Sequence, residues 1–239
     1  MKIRGLRADA RRNREQILAA ARDILVDQGP NAPLDAIAAA AEVGIGTLYR
    51  RFPDRRALFR AVVLDVLGRT AEEARLAQAE EEDAFRALGR YMHRALDLRV
   101  SAVMPTLLDY IPPDDEEIAS IRTHSRGLFQ QLVDRAHAAG MLRPDATFAD
   151  MGFLLVRLAR PLPGPIPRDL NNRLAHWHLE LLLDGLRTDR AEPAAPLPEP
   201  ALTLADLRAV EDAADRANDR GEEAFHDAHR HQSPSVDRS

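Results

Sequence analysis

Apolar residues return every three or four positions along most of the chain, the period of helices that pack on one face. Ile17, Ala21, Ile24 and Leu25 fall at i, i+4, i+7 and i+8 and predict a first helix from about Asp9 to Gln28, stopped by Gly29 and Pro30. Pro33 suits the first turn of a second helix, where its missing N–H costs nothing, and Leu34, Ile37, Ala38 and Ala41 give that helix a two-turn apolar stripe. A third short helix is expected over Ile45–Arg51, with Leu48 and Phe52 facing inward four residues apart and Pro53 ending it. Asp54 reads as the cap of a fourth helix, carried by Leu58, Val62 and Val66 toward the charged stretch 72–83. Further helices are expected at about 84–101, 115–139, 147–160 and 168–187, with a short, proline-broken one near 104–110. Apolar runs such as Leu154 to Val156 sit inside these helical patterns, and no segment alternates between turns as a strand does, so the fold class is all-α.

A length of 239 residues accommodates a small domain joined to a larger one. Residues 1–60 are expected to form a three-helix domain with a basic N-terminal arm, and 61–187 a larger helical domain. Residues 188–239 read as a linker, spaced by Pro193, Pro196, Pro198 and Pro200, and an acidic tail. Within this stretch 188–202 and 220–239 are expected to be mobile, around a weak helix bearing Leu204 and Leu207. The absence of cysteine excludes a disulfide framework and a thiol nucleophile and agrees with a reducing, cytoplasmic setting. No apolar run approaches the roughly 18 to 20 residues that cross a bilayer, so no membrane association is expected.

The net charge of −5 argues against a nucleic-acid partner until the charges are placed along the chain. Residues 1–60 carry 12 Lys/Arg against 7 Asp/Glu, so a basic end stands on an acidic body. Two short helices joined by a tight turn leave one face of the third helix free, bearing Gly46, Thr47, Tyr49, Arg50 and Arg51. Such a helix fits the major groove of a duplex, where its arginines can read guanine or pair with phosphate. Gly46, without a side chain, lets backbone approach the duplex closely. Arg55, at the start of the fourth helix, is a phosphate candidate, and Lys2, Arg4, Arg7, Arg11 and Arg12 form an arm able to reach the DNA backbone. The alternative for all of these is the solvated face of an ordinary helical bundle.

The run from Arg14 to Ala21, then Gly29, Ile37, Ala38 and the block from Val43 through Phe52 to Leu58 resemble the TetR family of regulators over about residues 10–62. The Gly-Thr-Leu-Tyr-x-x-Phe core, with a basic residue three after Phe52, is its specific part. The resemblance implies an N-terminal helix-turn-helix DNA-binding domain and a C-terminal helical domain for ligand binding and dimerisation. It implies that Thr47, Tyr49 and Arg51 contact DNA and that Arg55 stands where a basic phosphate contact, usually lysine, opens the fourth helix. The sequence departs from the pattern at Glu42, where the turn generally has glycine, and at Pro33, where a threonine cap is frequent. A left-handed Glu42 would cost on the order of 1 kcal/mol.

By the same resemblance, the helices at 147–160 and 168–187 pair with a second copy, placing two recognition helices on successive major grooves of a near-palindromic operator. A small-molecule effector, entering an apolar cavity among the middle helices, then shifts the fourth helix. Candidate lining residues are Tyr91, Met104, Leu108, Phe129, Leu132, Leu155 and Trp177, for each of which plain core is the alternative. The expected function is a sequence-specific transcriptional regulator, in the usual family behaviour a repressor. The alternative is a dimeric helical binding module without operator binding.

No catalytic motif, cofactor or metal site is expected. Gly44-Ile45-Gly46 has neither a preceding strand nor the third glycine of a nucleotide loop. His176 and His178 are two apart and cannot share a helix face, and His226, His229 and His231 read as solvated.

Overall fold

The computed structural model describes residues 2–164 and 166–188, and within them the chain folds into nine α-helices and one 3-10 turn. The helices are α1 (Lys2–Gln28), α2 (Leu34–Ala40), α3 (Ile45–Arg51), α4 (Arg55–Glu80), α5 (Ala84–Asp97), α6 (Val100–Leu107), α7 (Glu116–Ala138), α8 (Phe148–Leu158) and α9 (Arg168–Leu186), with the 3-10 turn at Leu108–Tyr110. The only extended pairing among the described residues is an isolated bridge between Leu142 and Arg187.

Local chemistry explains most boundaries. Gly29, at φ +80°, closes α1 with its N–H on the Leu25 carbonyl. The Asp54 carboxylate accepts from the Ala57 N–H at 2.8 Å and starts α4, and Asp83 does the same for α5. Thr147 and Asp150 form a reciprocal capping box at α8. Asp115 caps α7 and also receives two N–H bonds from Arg60 of α4, which hold its carboxyl below the usual carboxylate range.

Three boundaries differ from expectation. First, α1 begins at Lys2 rather than near Asp9, so the segment read as a flexible arm continues the helix. Second, the helix expected over 84–101 divides at Arg99, whose φ of 51° is left-handed. No glycine marks that break; the Arg99 side chain holds it, being 8% exposed and bonded to Asp27 of α1 at 2.9 Å and to Asn172 of α9 at 3.3 Å. Third, Pro105 lies inside α6 instead of breaking it, and α6 then tightens into the 3-10 turn. Thr188, at the edge of the stretch expected to be mobile, bonds through its N–H to Met141 and through its hydroxyl to Gly140. The rest of that stretch, with the weak helix near Leu204 and Leu207, lies outside the described residues.

Two apolar cores share α4. The first gathers Ile17, Leu18, Leu25, Ile37, Leu48 and Phe52 with Leu58, Phe59, Val62 and Val66, and it runs on into Val103, Leu107, Ile111 and Ile118 of the larger part. The second joins Ala71, Ala74 and Ala77 of α4 to α5, α7, α8 and α9 through Leu88, Met92, Leu132, Met151, Leu155, Leu179 and Leu183.

A half-buried polar contact ties α5 to α9. The Nδ1 atoms of His93 and His176 are 2.7 Å apart in nearly coplanar rings, so one imidazole must donate and the other accept. Glu180 lies 2.6 Å from Nε2 of His93, and Asp97, itself paired with Arg94, lies 3.0 Å from Nε2 of His176. Burial, with the neighbouring His176 adding, pushes His93 below the ordinary imidazole value despite Glu180.

Two outcomes are expected. Because a depressed folded pKa means that the unfolded chain binds the proton more readily, stability should fall as pH drops through about 6.5. Melting temperatures between pH ~7.5 and pH ~5.5 should show that fall, and His93→Gln should flatten it. Glu42 does adopt the left-handed φ of 54°, with the Val43 N–H reaching back to Ala38. Glu42→Gly should therefore raise stability by about 1 kcal/mol in denaturant titration.

Candidate nucleic-acid interface and ligand cavity

The third helix is held from behind by two residues. Leu48 is fully buried, and Phe52, just past the C-terminus of α3, is 5% exposed, so this side is fixed in the first core. The opposite side stands in solvent: Gly46, Tyr49, Arg50 and Arg51 are exposed, Tyr49 at 49%, and Thr47 is half-buried. Arg50 donates to the Thr47 hydroxyl at 2.8 Å, which orients both groups on one ridge. A Cβ added to Gly46 would meet no atom within 4 Å, so the fold itself does not demand glycine there.

Arg55 is less free than its position suggests. Its Nη1 donates to the Pro30 carbonyl at 2.6 Å, and its guanidinium lies 5.8 Å from the centre of the Phe59 ring. This fastens the start of α4 to the turn after α1 and leaves other N–H groups of the guanidinium available to a further acceptor. Pro33 precedes α2 with no side-chain cap. Arg11 is exposed and pairs with Glu15. The backbone of Arg4 and Arg7 is helical, and their side chains lie outside what is described.

The second feature is an apolar cavity of about 370 Å³ walled by α4, α5, α6, α7 and α8. Of the seven residues proposed from sequence, Tyr91, Met104, Leu108, Phe129 and Leu155 line it. Leu132 does not: it is wholly buried in the second core. Trp177 sits half-buried on α9, away from the lining. Tyr91 and Phe129 pack with ring centres 4.7 Å apart, and burial pushes the Tyr91 phenol upward, so it stays protonated. Sequence reasoning missed the polar lining of Thr70, Arg122, Ser125 and Arg126. The available signal was the spacing 122, 125, 126 and 129, which aligns these side chains with Phe129 on one face of α7.

Exposed large apolar side chains are few, and their places are informative. Among the described residues they are Ile45 and Tyr49 on α3, Tyr110, and Phe153, Leu162 and Leu181 on α8, α9 and the segment between. No described helix is long and apolar enough to cross a membrane, and no described group of three or more His, Asp or Glu side chains could hold a metal ion.

Comparison with known proteins follows the same division. Residues 17–62 match the family model described as bacterial regulatory proteins, tetR family, and residues 83–188 match that of the SbtR-like transcriptional regulator C-terminal domain. A TetR transcriptional regulator from Streptomyces coelicolor is 30% identical, with a TM-score of 0.54 over 74% of this chain and 99% of its own. A TetR regulatory protein from Mycobacterium vanbaalenii is 29% identical, with a TM-score of 0.54 over 77% and 99%. LfrR from Mycobacterium smegmatis, solved in complex with proflavine, is 25% identical, with a TM-score of 0.50 over 71% and 95%. No curated protein matches at a significant level.

Proposed function

The chain belongs to the TetR family of transcriptional regulators, and on that premise we propose that it reads operator DNA with the exposed ridge of α3. Members of this family bind DNA, dimerise and respond to small-molecule ligands. The observation that carries the reading is the two-sided third helix: Leu48 and Phe52 locked in the core behind, and Tyr49, Arg50 and Arg51 standing free in front. Thr47, Tyr49 and Arg51 contact base edges and phosphates, Gly46 permits close approach, and Arg50 is positioned through Thr47. Arg55 offers its free N–H groups to a phosphate, and Arg4, Arg7 and Arg11 along the first turns of α1 add sequence-independent attraction.

Residues 1–60 form the reading head, and 61–187 the ligand-binding and dimerising body. The apolar exposure of Phe153, Leu162 and Leu181 supports α8 and α9 as the homodimer face. Two heads then sit roughly 34 to 36 Å apart on a near-palindromic site. The cavity is the effector site, a reading supported by its apolar lining and by the small molecule, proflavine, with which LfrR was solved. Its walls include Leu67 and Thr70 of α4, the helix that Arg55 opens, so an occupant acts on the element carrying the head. The protein acts in the cytoplasm as a repressor and carries out no reaction itself.

Two measurements test this reading. Genomic fragments retained by the full chain supply the probe, and Tyr49→Ala with Arg51→Ala should weaken their binding by at least about thirtyfold, each lost contact being worth about 1–3 kcal/mol. Helix content and dimerisation should stay unchanged, and full-strength binding by that variant would refute the assignment. Leu181→Arg should shift the chain to monomer in analytical ultracentrifugation, whereas an unaltered dimer would place the interface elsewhere.

A further inference from the structure

The cavity is apolar over most of its wall, and its polar groups are hydroxyls and guanidiniums, none of them acidic. Tyr91, 4% exposed, and Ser125, 6% exposed, both line it, and neither hydroxyl bonds to another described residue. Thr70, the third buried hydroxyl, is already committed to the Val66 carbonyl. At the rim, Arg122 and Arg126 lie one helical turn apart on α7, exposed and without an ion-pair partner among the described residues. Other surface arginines of this chain, including Arg60, Arg69, Arg90, Arg94 and Arg143, are paired with carboxylates. No aspartate or glutamate belongs to the lining. Two guanidiniums and the hydroxyls of Tyr91, Ser101 and Ser125 therefore share a lining with Leu67, Met104, Phe129, Phe148 and Leu155 that contains no carboxylate to balance the positive charge.

Donors that face an apolar cavity without a protein partner are complemented by a group that accepts, and two guanidiniums favour one that is also anionic. We propose that the cavity takes an amphipathic carboxylate, its apolar body against Phe129, Phe148 and Leu155 and its anionic head held by Arg122, Arg126 and Ser125. Tyr91, protonated because it is buried, donates along the path between head and body. A volume of about 370 Å³ selects a single alkyl chain or a one- or two-ring acid over a larger ligand. A cation of the same shape meets two uncompensated positive charges and is rejected. This assignment rests on the reading of the cavity as the effector site and adds the charge of the effector to it.

The test is calorimetric titration of the full chain, below micellar concentrations, with decanoate, decanol and decyltrimethylammonium. Decanoate should bind at least about tenfold more tightly than the other two, the scale of a hydrogen bond to a charged group. Arg122→Gln with Arg126→Gln should erase that preference with the melting temperature unchanged, because both side chains are exposed, and Tyr91→Phe should weaken decanoate alone. If the cation or the alcohol binds as well as decanoate, the charge assignment is overturned while the effector cavity stands. If no amphiphile of any charge binds, both are overturned.

Discussion

The structure depends on one apolar core that does not stop at the edge of the proposed reading head, α1 to α3. Leu58, Phe59, Val62 and Val66, in the first half of α4, share one core with Ile17, Leu18, Ile37 and Leu48 and with Val103, Leu107, Ile111 and Ile118. Phe59 also meets Tyr110 edge-on, with ring centres 5.3 Å apart. A short helix such as α3 is marginal by itself and owes its order to what it packs on. The exposed ridge from Gly46 to Arg51 is thus held in place through a core that extends as far along the chain as Ile118. The head cannot turn as a bead on a string; it moves when α4 or α6 moves.

A polar clasp reinforces this coupling. Asp27, near the end of α1, is bonded by Arg99 at the start of α6 and by Arg168 at the start of α9, and Asp23 pairs with Arg168 at 3.0 Å. Arg99 accepts a left-handed backbone to make these contacts, a conformation that costs about 1–2 kcal/mol for an L-residue. It directly precedes Val100, Ser101 and Met104, which line the cavity. An occupant pressing on α6 therefore acts one residue away from the group that anchors α1. With α4 forming another wall, the cavity touches two helices, α4 and α6, that share the first core with α1, α2 and α3.

What was legible beforehand is what neighbours along the chain determine. The bounds of α3, the Asp54 cap, the stop at Gly29 and the inward pair Leu48 and Phe52 are all local, and each stands where the pattern placed it. The division at Arg99 was not legible, because no glycine or proline marks it and its cause lies 72 residues away in Asp27. The His93 and His176 pair was hidden for the same reason, since periodicity relates residues within a helix and these stand on different ones. Arg122 and Arg126 look like an ordinary solvated face until α4, α5, α6 and α8 close around Phe129 and turn that face into a rim. Leu132 shows the converse: three positions from Phe129, it points into the second core and not into the cavity.

The shared core is the claim on which both the reading head and its control rest, and amide hydrogen exchange addresses it directly. If head and body open as one unit, Leu107→Ala, a substitution in α6, should lower the protection of amides in α1 and α2 together with those in α6. Loss of protection confined to α6, with the head amides unchanged, would show that the head folds independently and would contradict the account.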